Sequence, residues 1–405
     1  MKNNIPSQAT PARASAISQN RIRAVIAYNA RTVALMFASG TLIQGLLGIM
    51  GFSSRMIYIH SSLIQAANIL TIILCSGYAN RGQALIRRSA VTAIPTALMF
   101  LLYIPFAAQK ADLKVFVCLA AIGAIQQIFV GLSTVCEYKI PYYVYRADEY
   151  GRMLAICGIV SSVASLLVGS LVTALTTKYN YVHIMIGGFV LSCALMLIVF
   201  ITTILQKDIS DGERTDAPSA AIRLRDVLCQ PLFARLIPAN IMRGFAAGAI
   251  GVLAATALEI GYGETLISAM VVAQSVSSLA ACAILALKPK RIPYLAVMMI
   301  GCILVISTPL LLIKNSYLFL AVYSVVVFGR TLVDYAIPTL LRQAVPVDIA
   351  GPYNAWRMVL NNAGTVLATV LAAWMSVPCL LIVIAAAKIM SGVMYYTLIK
   401  KNAKH

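Results

Sequence analysis

"EYKIP", residues 137–141, and "DYAIP", residues 334–338, repeat one pattern: an acid, a tyrosine, an isoleucine and a proline in the same order and spacing. The interval is identical at both ends, 334 − 137 = 197 and 338 − 141 = 197. The first copy continues as "CEYKIPYYVY" (136–145), so a carboxylate, an ammonium group and a proline fall within five residues of an otherwise apolar stretch. An acid and a proline that recur in two hydrophobic segments point to a duplicated architecture, and the surroundings decide which one.

The chain has 405 residues, 60% hydrophobic and 11% charged, with a mean hydropathy of +0.87. A soluble protein carries about 25% charged residues. Crossing about 30 Å of hydrocarbon at 1.5 Å per residue takes roughly twenty apolar residues. Such runs recur near 30–52, 57–79, 89–108, 115–141, 153–177, 183–206, 236–258, 265–287, 292–313, 316–340, 353–376 and 378–399. The pattern predicts an all-α integral membrane protein with twelve transmembrane helices. The nine cysteines are scattered without a CxxC, and His60, His183 and His405 are isolated. Neither a metal site nor a cofactor is expected from them.

An even number of spans puts both termini on one side. Loops and tails on that side hold about 22 Lys and Arg, against about 5 opposite (Arg55, Lys110, Lys114, Lys178 and Lys314). That bias marks the cytosolic face. It accounts for the net charge of +19, so the expected partners are a lipid bilayer and a small-molecule solute, not nucleic acid. The basic, Ser/Ala-rich opening "MKNNIPSQATPARASAISQNRIR" reads as a cytosolic tail rather than a cleaved leader. The longest polar loop, "QKDISDGERTDAPSA" (206–220), divides the spans six and six. The expected organisation is a tail at 1–28, a six-helix bundle at 29–206, a linker at 207–235, a second bundle at 236–399 and a tail at 400–405. In the linker, "IRLRDVLCQPLFARL" (222–236) suits either a short interfacial helix or an ordinary connection. The expected setting is a bacterial-type inner (plasma) membrane, with the chain a monomer.

The two copies of the opening pattern fall in the fourth span of each half. Looser correspondences join them: Asn29 and Arg31 open span one where Asn240 and Arg243 open span seven, and a "GFSSR" turn faces "GYGET". Two six-helix halves of the same orientation are a transporter architecture, with the binding site at their interface near the midplane. Three stretches carry a family resemblance: "SGYANRGQALIRRS" (76–89), "YRADEYGRMLAICGIVSSVASLLVGSL" (145–171) and "VPVDIAGPYNAWRMVLNNAGTVLATVL" (345–371). Across essentially all twelve spans the chain resembles the major facilitator superfamily. The first stretch is similar to that family's loop motif, carried here by Gly77, Asn80, Arg81 and Gly82, with Asn80 where the family usually has aspartate. The resemblance implies a conformational role for this loop, and the asparagine puts in doubt its charge contact with the other half.

Of the thirteen acids, only Glu137 and Asp334 lie deep in spans, nine and eight residues inside Arg146 and Arg342. At 1.5 Å per residue they sit roughly 12–14 Å from the cytosolic boundary. A charge at that depth costs at least about 2.5 kcal/mol on insertion scales, so it normally faces the bundle interior and has a partner. A carboxyl held away from water is well placed to take up a coupling proton; the alternative for each is a buried ion pair that fixes helix packing. Arg330 lies four residues before Asp334 and can pair with it along one helix. Ser133 occupies the matching position before Glu137, which lacks that partner. Lys139 points away from the face of Glu137, and Lys388, mid-span in span twelve, suits a structural partner of another helix. Arg31 and Arg243 stand just inside spans one and seven, which line the cavity in the family; headgroup anchoring is the alternative. Asn361 offers a neutral hydrogen bond, and Tyr138 an aromatic contact. Pro141 and Pro338 each remove a helical hydrogen bond and suit a gate hinge.

The resemblance implies a secondary transporter working by alternating access, coupled to a proton or another cation. The candidate site residues imply a small polar or charged organic solute. Efflux antiporters of the superfamily usually carry a Gly-Pro-rich motif in span five, whereas "ICGIVSSVASLLVGSLVTAL" (156–175) has no proline. That tilts the reading toward proton-coupled symport. Proton-coupled drug or metabolite efflux is the alternative, and a facilitator or lipid transporter a further one. No GxSxG or GK[ST] occurs and no histidine sits beside a nucleophile, so an enzyme is not expected. A membrane-embedded enzyme or receptor on this scaffold is the rival from another class, separable by the absence of net solute flux.

Overall fold

The structure is a computed structural model that describes residues 11–38, 40–75, 82–137, 140, 144, 150–209, 229, 231–287, 293–344 and 350–402. Among the described residues every regular element is helical. The first half comprises α1 (Pro11–Met36), α2 (Thr41–Ile49), α3 (Ser54–Cys75), α4 (Gly82–Val91), α5 (Ala93–Ala107), α6 (Leu113–Glu137), α7 (Tyr150–Thr176) and α8 (Tyr181–Ile204). The second comprises α9 (Pro231–Gly251), α10 (Leu253–Ile260), α11 (Glu264–Leu287), α12 (Tyr294–Val305) with a 3-10 turn at Thr308–Leu312, α13 (Ser316–Ala344), α14 (Ala350–Ala372) and α15 (Val377–Asn402).

Ten stretches are long and apolar enough to cross a membrane, and α9 with α10, bent by 44°, make an eleventh. The expected count of twelve rests on α14, which is long enough but more polar, carrying Arg357, Asn361 and Asn362. Helix α1 already begins at Pro11, inside the stretch read as a tail, and α9 begins at Pro231 rather than 236. Most of the linker falls outside the described residues.

The repeat seen in sequence is borne out atom by atom in the turns after the first span of each half. Gly51 and Gly261 both have positive φ, 99° and 100°, a conformation that glycine adopts without steric cost. The amides of Gly51 and Phe52 donate to Gly48 and Leu47; those of Gly261 and Tyr262 donate to Leu258 and Ala257. These paired bonds close each helix by satisfying its last carbonyls. The aromatic that follows packs tilted on the first turn of the fourth span: Phe52 on Phe116 at 5.7 Å and Tyr262 on Phe319 at 5.1 Å.

Helix interruptions are paired as well. The first span of each half breaks, between α1 and α2 at Gly40 (φ 75°) and between α9 and α10 at Val252. The third also breaks, at Thr92 before Pro95 and at the turn that holds Pro309. Proline supplies no amide for the helical ladder, which explains the second pair. Of the prolines expected to act as hinges in the fourth spans, Pro338 lies within the continuous helix α13, and Pro141 lies outside the described residues.

The halves meet along two seams, α3 against α14 and α7 against α11. Asn20 donates to the carbonyl of Lys207, and Gln83 to that of Gln206, so the starts of α1 and α4 and the end of α8 share one end of the bundle. Trp356 of α14 packs near Cys75, and Ile399 joins Phe233 and Tyr353, which brings the C-terminus to that same end. At the opposite end the halves are tied together. Gln44 donates to the carbonyl of Gly251 at 2.9 Å, Tyr58 bonds Thr256 at 3.3 Å and Glu259 at 3.4 Å, and Ser62 donates to Thr369 at 2.6 Å. One apolar core embraces both halves there, with Leu42, Ile43 and Leu46 beside Leu253, Ala254 and Leu266. Toward the terminal end the apolar clusters belong mainly to single halves: Leu85, Ile86, Cys136, Ile140 and Val144 in the first, and Phe233, Leu236, Met298 and Tyr353 in the second. The seam residues Ile72, Val135 and Val359 bridge them.

Candidate functional site

Between the halves, on the terminal side of that seal, lies a cavity of about 240 Å³. Its walls come from α1 (Tyr28) and α7 (Gly158, Ser161, Ser162) of the first half. The second half supplies α11 (Gln274, Ser278, Cys282) and α13 (Val327, Arg330, Thr331, Asp334, Tyr335). A cavity lined this densely by hydroxyls and amides needs the support of neighbouring helices to hold its groups in place. Ser278 and Thr331 bond each other at 3.3 Å, Tyr323 donates to Gln274 at 3.1 Å, and Cys282 shares hydrogen bonds with Tyr335 in its own half and with Ser162 across the seam.

Asp334 carries the negative charge of the cavity. Arg243, two helices away on α9, donates to its Oδ1 at 2.7 Å, while Arg330 on its own helix approaches Oδ2 through Nε at 3.5 Å. The expected in-helix pair therefore forms, but the closer contact is the one across helices. The Arg243 side chain is only 10% exposed and is bound to Asp334. Tyr395 of α15 fixes the arrangement from behind, bonding Asn240 at 2.5 Å and Arg243 as well. Lys388, also on α15, is 1% exposed, and among the described residues its Nζ finds no hydrogen-bond partner. The charges acting on it are Asp334, Arg243 and Arg330.

The first half holds the counterpart pair. Arg31 of α1 forms an ion pair with Glu137 of α6, and Ser133 donates to the same carboxylate oxygen at 2.9 Å. Glu137 thus has an in-helix partner after all, a hydroxyl four residues earlier rather than a base. In both halves an arginine of the first span holds the acid of the fourth. The outcome differs, since Asp334 lines the cavity while Glu137 and Arg31 do not.

Asn361 stands at the crossing of α14 with α9, where its backbone lies against Gly244. Asn362, its neighbour, donates to Asn68 at 3.2 Å across the seam between α3 and α14. Tyr138, Pro141, Gly77, Asn80 and Arg81 lie outside the described residues, and Gly82 opens α4. Tyr28, Ser161, Ser162, Gln274, Ser278, Thr331 and Tyr335 are the wall residues that the sequence reading missed. One of them was signalled: Tyr335 is the tyrosine of "DYAIP", the partner of Tyr138 in the repeat.

The family model for the Major Facilitator Superfamily matches residues 24–369. No curated protein matches the sequence. Among solved structures, the chain is similar to a bacterial homologue of the iron transporter ferroportin in its outward-facing state. The TM-score is 0.68 at 12% identity, covering 96% of this chain and 100% of that one. It is similar to a D-xylose–proton symporter (0.68, 12%, 94% and 97%) and to the nucleoside transporter NupG (0.65, 12%, 95% and 99%). At such identities the likeness is one of fold.

Proposed function

The chain belongs to the Major Facilitator Superfamily, and on that premise we propose that it is a secondary transporter moving a small polar or charged organic solute by alternating access, coupled to protons in symport. The observation that carries this reading is the cavity itself: polar, of about 240 Å³, at the junction of the halves and holding Asp334 and Arg330. Pockets for drug-sized ligands span roughly 300–1,000 Å³ and are mostly apolar, so a smaller, hydrogen-bonding solute suits this one better. The seal at one end and the cavity toward the other give the arrangement alternating access requires, with one face closed. If the basic loops are cytosolic, as their charge bias indicates, the cavity is on the inward side.

Asp334 is the proposed coupling acid. Protonation would release Arg243 and Arg330, and re-pairing would follow deprotonation, so the charge state of one side chain would set the contact between α9 and α13. Glu137 and Arg31 are the matching latch between α1 and α6, outside the solute's path. A symporter named among the structural relatives fits the same direction. The test is uptake into proteoliposomes under an imposed pH gradient, across a panel of small polar solutes. Gradient-driven accumulation by the intact protein, and equilibration without accumulation by Asp334→Asn, are the expected results. Undiminished accumulation by that variant would remove Asp334 from the coupling role, and ligand-dependent turnover without flux would favour an enzyme or receptor.

A further inference from the structure

The two halves are unequal in charge. In the first, Arg31 and Glu137 balance. In the second, Arg243, Arg330 and Lys388 surround Asp334, which is their one carboxylate among the described residues, so 3 − 1 leaves two positive charges in excess. Arg357 is nearby but has its own interactions. Excess charge at this depth is costly unless something compensates it.

The geometry shows where the compensation is open. Asp334 is held by Arg243 at 2.7 Å and feels the charge of buried Lys388, and neither of these two bases lines the cavity. Arg330 faces the cavity, touches Asp334 only through Nε at 3.5 Å, and keeps 34% of its side chain exposed. The Arg330 side chain is thus a wall of the space where a solute would sit, and among the described residues no ion pair to its terminal nitrogens is formed. A guanidinium fork matches the two oxygens of a carboxylate or phosphate, and Ser161, Ser162, Ser278 and Thr331 supply neutral donors around it.

We propose that the transported solute is a small organic oxyanion bound by Arg330, and that Lys388 is the positioning charge that satisfies Asp334 and so leaves Arg330 free for the solute. The inference rests on the transporter reading and adds the substrate class to it. It assigns to Lys388, a residue that touches no solute, a specific effect on anions.

The experiment uses matched probes on the full-length protein: glycerate and glycerol 3-phosphate against glycerol, glucuronate against glucose, and choline as the cation, read by ligand thermal shift and by proteoliposome uptake. An anion is expected to bind at least tenfold more tightly than its neutral analogue, and the carboxylate and phosphate members show which oxyanion is preferred. Arg330→Gln removes that preference. Lys388→Gln weakens anion binding about tenfold and leaves neutral solutes unchanged, a split that a merely structural lysine would not produce. The double variant Asp334→Asn with Lys388→Gln keeps the excess charge at two and regains anion binding, which also controls for misfolding of the single variant. Preference for a neutral or cationic probe would overturn the oxyanion while leaving a transporter standing. Full anion affinity in Lys388→Gln would overturn the positioning role, and a panel in which nothing binds or crosses would overturn both readings.

Discussion

Gly244, next to Arg243, is where the site depends most directly on close packing. A Cβ added there would lie 1.7 Å from the carbonyl oxygen of Asn361 and 2.5 Å from its carbon, both backbone atoms of α14. Ordinary contact begins near 3.4 Å, so alanine requires the helices to separate by about 3.4 − 1.7 = 1.7 Å along that line. Gly364 makes the reciprocal approach, with the Ile241 carbonyl oxygen 2.1 Å from its would-be Cβ, and relief by rotating α14 is therefore blocked. Overpacking of this kind costs about 1–3 kcal/mol. The hydrogen bond donated by Thr365 to the Gly244 carbonyl at 3.0 Å goes with it, worth roughly 0.5–1.5 kcal/mol. Against these, alanine gains about 0.5–1 kcal/mol over glycine within a helix. The net expectation for Gly244→Ala is a loss of about 1–3 kcal/mol, seen as a fall of several degrees in apparent Tm in detergent. Gly187→Ala is the control, because its Cβ meets nothing within 4 Å on α8 and only the helix gain remains. Since Arg243 is displaced with Gly244, solute binding should weaken in the first variant and not in the second. A Gly244→Ala protein as stable as Gly187→Ala would refute the close crossing and the geometry built on it.

The latch of the first half gives a second prediction. Arg31→Gln or Glu137→Gln leaves one charge unpaired, and each should lower apparent Tm more than the double variant does. Breaking a fully buried pair costs about 3–5 kcal/mol; with the Glu137 side chain 41% exposed, about 1–2 kcal/mol is expected, and equal losses in all three would dismiss the pair. The seal gives a third: Ser62→Ala removes one hydrogen bond between the halves and Tyr58→Phe removes two, each worth roughly 0.5–1.5 kcal/mol. Either should raise the labelling rate of a cysteine placed at Ala254, now 2% exposed, in a background without the native cysteines. An unchanged rate would mean that these bonds do not hold that end shut.

Membrane insertion and the duplicated plan were legible in the sequence because both follow from one-dimensional patterns. Apolar length reports a span, and an acid and proline recurring at an interval of 197 residues report a repeat. The paired turns at Gly51 and Gly261 were visible for the same reason. The partner of each acid was not, because Arg31 meets Glu137, and Arg243 meets Asp334, only after four separate spans are packed. The breaks in the first spans were not legible either. They fall at Gly40 and Val252, where no proline signals them. The cavity walls were hidden by chemistry: Ser161, Ser162, Ser278 and Thr331 are small residues that satisfy themselves against helix carbonyls as readily as they bind a solute.

The duplication also explains why the halves can differ where they matter. Moving a carrier between two states requires each half to move as a body, and the repeated features, a first-span break, a capped glycine turn and an arginine–acid latch, serve that rigidity equally on both sides. Recognition has no such need for symmetry, since a small solute presents different groups to each wall. In this chain the Arg31–Glu137 pair is balanced and does not line the cavity, while its counterpart is joined by Arg330 and Lys388, and Asp334 and Arg330 line it. Ser133 sits where Arg330 sits in the copy, and its hydroxyl already satisfies Glu137. Exchanging the two, with Ser133→Arg and Arg330→Ser in one protein, would keep the total charge and move one of the two excess positive charges from the cavity-lining position 330 to the first half. On the proposed role of Arg330 such a protein would lose its hold on an anionic solute although its total charge is unchanged, and anion binding equal to that of the intact protein would refute that role.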